Sequence, residues 1–155
     1  MRYHDTLNSL DVLENVKAAD CAKSVIAVVG SMNADYTIVA DRLPKPGETV
    51  NGSELKVLPG GKSGNQAVSA AKIGAHVRMF GALGSDQNAD FLLNSLNSAG
   101  VDTTHILHVD NIPSGATVIT VDAQGGENTI VYAPGSNAHV TVPYTCLLYT
   151  SLSGL

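Results

Sequence analysis

A chain of 155 residues with 9 Lys and Arg against 14 Asp and Glu carries a formal charge of −5 at pH 7 and has no basic run, which argues against nucleic acid or anionic membrane as a partner. The length suits one domain with a real hydrophobic core, no apolar stretch approaches the roughly 20 residues of a membrane span, and no basic region followed by an apolar core marks a secretory signal. Cys21 and Cys146 stand far apart without metal-ligand spacing, as expected of two reduced thiols in a cytoplasmic protein.

Residues 1–23 set Leu7, Leu10, Leu13 and Val16 at helical spacing, which predicts an amphipathic N-terminal extension, docked or loosely attached. Residues 24–30 are a continuous apolar, β-branched run closed by Gly30. That is the pattern of a strand buried on both faces, and hence of the first strand of a parallel sheet. Just past its carboxyl end come Asn33 and Asp35, two short polar side chains two residues apart. In open α/β sheets ligands bind at that edge. Asparagine offers a donor and an acceptor, whereas an ionised aspartate offers only acceptors and suits vicinal hydroxyls that donate. The plainer alternative is that both residues cap a turn.

Residues 36–40 and 49–57 read as two half-polar strands of a small, partly exposed sheet, joined by a rigid turn containing Pro44, Pro46 and Gly47. A second turn follows in which Pro59 presets one φ angle and Gly60 and Gly61 allow positive φ or close backbone approach. It feeds a helix predicted from about Gly64 to Ile73, stopped by Gly74, with Val68, Ala71 and Ala67 on the buried side. A glycine turn at a helix start leaves backbone N–H groups free beside Lys62, a place to hold oxygen-rich ligands. Gly61, Lys62 and Ser63 imitate the end of a phosphate-cradling P-loop, but that motif needs a glycine where this chain has Lys56. The alternative here is a tight strand-to-helix turn with a surface lysine. Next come a strand over 76–84 and a helix N-capped by Ser85 that runs to about Ser98 and closes at Gly100. This β-α-β-α order is that of a sheet with helices on its faces. Strands at 104–109, 115–121 and 128–133 follow, then a turn from Pro134 to Asn137. From Pro143 onward no helical or alternating pattern is evident.

Three groups of residues, in order and spacing, resemble the ribokinase (PfkB-type) family of carbohydrate kinases: Gly30 through Asn33 to Asp35; Pro46, Gly47, Glu48 and Thr49; and Gly60, Gly61, Lys62 through Asn65, Gln66 and Ala67. Gly126, Glu127 and Asn128, and Pro134 through Asn137, fit as well. The Asn-x-Asp form of the first group is nearer the ribokinases than the fructokinases or adenosine kinases. The resemblance implies an α/β, Rossmann-like parallel sheet flanked by helices, with a small β lid folding over the sugar. It also implies truncation: residues 24–141 would be the N-terminal part of such a domain. The lid would comprise about 36–57 and part of 104–122, and residues 142–155 would be a tail foreign to the family. Asn33 and Asp35 would read the sugar hydroxyls, the turn at Gly60 and Gly61 would let backbone amides approach, and Lys62 and Asn65 would add hydrogen bonds. Ser63 and Gly64 depart from the family's usual Gly-Ala at that point.

The catalytic aspartate, in a Gly-Ala-Gly-Asp motif, and the residues for ATP and Mg2+ (with K+ as a further candidate) would lie beyond this chain, which contains no Gly-x-Gly-Asp. Phosphoryl transfer depends on positioning and charge stabilisation, so the chain alone is expected to be inactive. The expected partners are ribose or a similar furanose and, through the lid, a second copy of the full-length form. The alternatives are a non-catalytic sugar-binding or regulatory module, or a related nucleoside or other sugar kinase.

Overall fold

The computed structural model describes residues 25–144; the predicted helix over 1–23, both cysteines and residues 145–155 lie outside them. β1 (Val25–Val29) and β4 (His76–Phe80) pair in parallel, from Val25 opposite His76 to Val29 opposite Phe80. Between them in sequence lies α1 (Lys62–Lys72), which packs on both strands. The parallel pairing is as expected, but the double-sided burial of β1 is not. Val25, Ile26 and Val29 are 46%, 45% and 40% exposed, and among the described residues β1 has β4 as its one neighbour. A strand is buried only as far as other layers cover it, and here α1 covers part of one side.

The predicted strand over 76–84 divides at Gly81. A side chain there would stand 2.7 Å from the Gly30 carbonyl and 2.6 Å from the end of Met32. The second piece, β5 (Ala82–Leu83), pairs in parallel with β6 (Leu107–His108), all that remains of the predicted strand over 104–109. α2 (Gln87–Ser98) lies between β5 and β6. Its N-cap is Asp86, whose carboxylate accepts from the Ala89 N–H at 2.9 Å, and not Ser85, whose hydroxyl turns to Asp110. Met32, Val77, Met79, Leu83, Leu92 and Leu96 form the centre of the core where α1, α2 and the parallel strands meet. No helix among the described residues is long and apolar enough to cross a membrane.

A second sheet has the order β3-β2-β7-β8, formed by β2 (Asn33–Ala40), β3 (Lys56–Gly60), β7 (Ala116–Asp122) and β8 (Asn128–Ala133). β2 runs antiparallel to β3 and parallel to β7, and β7 runs antiparallel to β8. The predicted strand over 49–57 survives only as β3, with Gly52 making an isolated bridge to Ala40. Asn51, Gly52 and Ser53 are turn formers, and Ser53 instead fastens the loop through its N–H to the Val39 carbonyl. The Ala34 N–H to Gly115 carbonyl bond at 2.9 Å extends the β2–β7 ladder, and the Tyr36 hydroxyl, bonded to Asn88 Oδ1 at 2.7 Å, ties this sheet to α2. After β8 the predicted turn opens a 3₁₀ helix, Gly135–His139. Beyond it Tyr144 donates to the His105 carbonyl at 2.7 Å.

Candidate functional site

Asn33 and Asp35 belong to β2 itself and not to a turn, so the turn-capping alternative does not hold. Strand geometry puts residues i and i+2 on one face, and pairing sets Asn33 opposite Gly60 and Asp35 opposite Leu58. Asp35 therefore lies diagonal to Gly60, so close that a methyl group at Gly60 would collide with its carboxylate. Asp35 Oδ1 is buried and has no hydrogen-bond partner among the described residues. Buried polar atoms are nearly always satisfied, and an ionised carboxylate can only accept. This oxygen is thus an acceptor for which the described residues supply no donor.

The Gly60–Gly61 bend brings β3 back to β2 and starts α1. Gly61 has φ of 85° and serves as N-cap with no side-chain cap. A Cβ there would lie 2.6 Å from the Ser31 carbonyl and 2.8 Å from Met32 Cα. Positive φ and close approach together explain the glycine. α1 begins at Lys62, earlier than the expected Gly64, since Gly61 already turns the chain. Its buried face is Gly64 and Ala67, with Val68 and Ala71 half-buried. Ser63, the departure from the family pattern, bonds the Val29 carbonyl at 3.2 Å and so anchors the helix to the end of β1. Lys62 and Asn65 are exposed. A partly open cavity of about 50 Å³ is lined by Gly60 and Asn65 together with Met32, Val68, Leu92 and Leu96.

Sequence reasoning missed Asn137. Its side chain reaches the other end of the described chain, accepting from Met32 N–H at 3.0 Å and donating to the Met32 carbonyl at 3.0 Å and to Asn33 Oδ1 at 2.9 Å. The turn ending in Asn137 was visible, but nothing local reveals a partner 104 residues away. Asp86 is a second hidden hub, since it accepts from the Ser114 N–H at 2.8 Å and hydroxyl at 2.7 Å besides capping α2. Burial pushes its carboxyl up, but the bonds from Ser114 and Ala89 outweigh that and leave it below the usual value. Among the described residues no three His, Cys, Asp or Glu side chains converge on a metal position.

Two parallel-paired layers with helices, joined to a four-stranded sheet whose first strand carries an orphan carboxylate beside a diglycine bend, place the chain among α/β proteins of the ribokinase-like kind. Residues 23–146 match the family described as pfkB family carbohydrate kinase, and the chain belongs to that family. It is 40% identical over 119 residues to the ribokinase of Haemophilus influenzae, covering 77% of this chain and 39% of that one. Among solved structures it is similar to the ribokinase of Cryptococcus neoformans in complex with ADP, with 36% identity and a TM-score of 0.66 over 74% of this chain and 36% of that one. It is also similar to the Arabidopsis thaliana ribokinase complexed with ribose and ATP, with 35% identity and a TM-score of 0.65 over 73% of this chain and 36% of that one. The chain thus spans well under half the length of the relatives it matches.

Proposed function

We propose that this chain is the sugar-recognising N-terminal part of a cytoplasmic, ATP-dependent kinase that phosphorylates ribose, or a similar furanose, at its terminal hydroxyl. The observation that carries this reading is the buried, unpartnered Asp35 Oδ1 beside Gly60. A carboxylate so placed takes hydrogen bonds from the sugar's hydroxyls, Asn33 supplies a complementary donor, and the bend at Gly60 and Gly61 admits the ring close to backbone. Lys62 and Asn65, exposed at the start of α1, add donors from the rim. A site built of directional bonds rejects analogues that lack a hydroxyl, because its own polar groups are then left unpaired.

The four-stranded sheet is the lid over that sugar, and its exposed apolar residues Val118, Ile130, Val131 and Tyr132 are the surface through which two full-length copies associate. The proton-accepting aspartate and the residues for ATP and Mg2+, with K+ as a further candidate, belong to sequence outside this chain. Alone it is inactive. The 39% coverage of the Haemophilus influenzae relative supports that division.

The test is an assay of the full-length protein from the same source with ATP and a panel of furanoses and nucleosides. ATP-dependent phosphorylation of ribose is expected. Activity on nucleosides alone would move the substrate, and no transfer to any sugar or nucleoside would overturn the reading. Asp35→Ala in that protein is expected to abolish sugar binding with the fold intact; an unchanged KM and kcat would reduce Asp35 to a structural residue.

A further inference from the structure

The carboxamide of Asn137 faces both polar groups of Met32, with Oδ1 on the N–H and Nδ2 on the carbonyl, each at 3.0 Å. Backbone polarity cannot be reversed, so this side chain has one permitted orientation. Its nitrogen then has one hydrogen left, and that hydrogen points to Asn33, 2.9 Å away. A donor requires an acceptor, so the atom of Asn33 that meets it is the carbonyl oxygen. The NH2 of Asn33 is thereby turned away from Asn137, on the same strand face as the Asp35 carboxylate.

Gly115 makes the arrangement possible. A Cβ there would collide with Asn137 Nδ2 and stand 2.7 Å from Asn33 Oδ1, so the two asparagines meet only over a glycine. Asn33 at the start of β2, Gly115 just before β7 and Asn137 in the 3₁₀ helix thus fix one amide rotamer.

We propose that Asn137, backed by Gly115, is the positioning residue that sets Asn33 with its NH2 toward the ligand. The site then offers a donor from Asn33 next to the acceptors of Asp35. It therefore reads one sugar hydroxyl as an acceptor and its neighbour as a donor. This rests on the polyol reading above. An asparagine free to rotate about its last torsion would present oxygen or nitrogen at little cost and would discriminate less between a hydroxyl and its absence.

Asn137→Asp keeps the shape and the acceptor for Met32 N–H but removes both donations. In the full-length protein this variant is expected to raise KM for ribose by about tenfold while kcat changes little, as loss of a bond held in ground and transition states does. It is also expected to narrow, by a similar factor, the preference for ribose over one of its monodeoxy analogues. Gly115→Ala is expected to do the same. Weakened binding with every sugar's ranking preserved would mark Asn137 as merely structural and overturn the proposal.

A second measurement judges the orientation without activity and without a variant: nitrogen-15 NMR of the side-chain amides in this chain. Slow solvent exchange at Asn137 Nδ2 with faster exchange at Asn33 Nδ2 is expected, and equal exchange at both overturns the positioning role. Should the full-length protein phosphorylate no sugar, the polyol reading falls, and the amide exchange alone decides whether Asn137 orients Asn33.

Discussion

Asp86 joins distant parts of the fold through one side chain, as Asn137 does at the site. It accepts from the Ala89 N–H, the Ser114 N–H and the Ser114 hydroxyl, and so joins the start of α2 to the segment that leads into β7. Replacing it with alanine removes a helix cap and strands the buried Ser114. The expected loss is about 2–3 kcal/mol, read from the shift in urea midpoint. Asp102 is held in the same way, by Thr104 and Arg78. The Thr104 hydroxyl and N–H, against a small burial cost and with help from Arg78, hold its carboxyl at about 2. A carboxylate depressed in the folded state adds stability that is complete above its unfolded value of about 4. That contribution disappears as pH falls through the folded value. Unfolding free energy is therefore expected to drop between about pH 4 and pH 2, and less steeply in Asp102→Asn; identical slopes for the two proteins would contradict the assignment.

At the scale of elements, glycines Gly61 and Gly74 make a controlled pair. Both have positive φ, 85° and 96°, but a side chain at Gly74 meets open space while one at Gly61 meets the Ser31 carbonyl at 2.6 Å. Gly74→Ala is expected to cost about 1 kcal/mol, the left-handed penalty alone. Gly61→Ala is expected to cost more, about 2–4 kcal/mol, because β2 and the bend must also move apart. Thermal midpoints of the two variants measure the difference. The Tyr36–Asn88 bond couples the four-stranded sheet to α2. Tyr36→Phe is expected to lose about 1 kcal/mol and to speed amide exchange in β2 before that in β4.

For the molecule as a whole, β1 and β8 are edge strands with apolar exposure among the described residues. β8 exposes Ile130, Val131 and Tyr132 at 57%, 69% and 49%, with no neighbour beyond it among the described residues. Exposed edges of this kind pair with other chains. Self-association that grows with concentration is expected in sedimentation, and Val131→Lys is expected to suppress it; a chain that stays monomeric throughout would show that its edge is protected.

What the sequence determined by itself follows from short-range physics. The β-branched run before Gly30, the glycine bend into a small-residue helix and the β-α-β-α order were all legible, because periodicity and turn chemistry act within a few residues. Asp35 and the diglycine were legible as a candidate site for the same reason, since each carries its chemistry in a recognisable spacing. Only the tertiary structure decided that Asn33 and Asp35 ride on a strand, that Asp86 and not Ser85 caps α2, and that among the described residues β1 is covered only in part, by α1. It alone brought Asn137 to Asn33 across 104 residues. Those outcomes depend on which distant backbone groups arrive beside a side chain once the loops have closed, and that competition leaves no trace in local pattern.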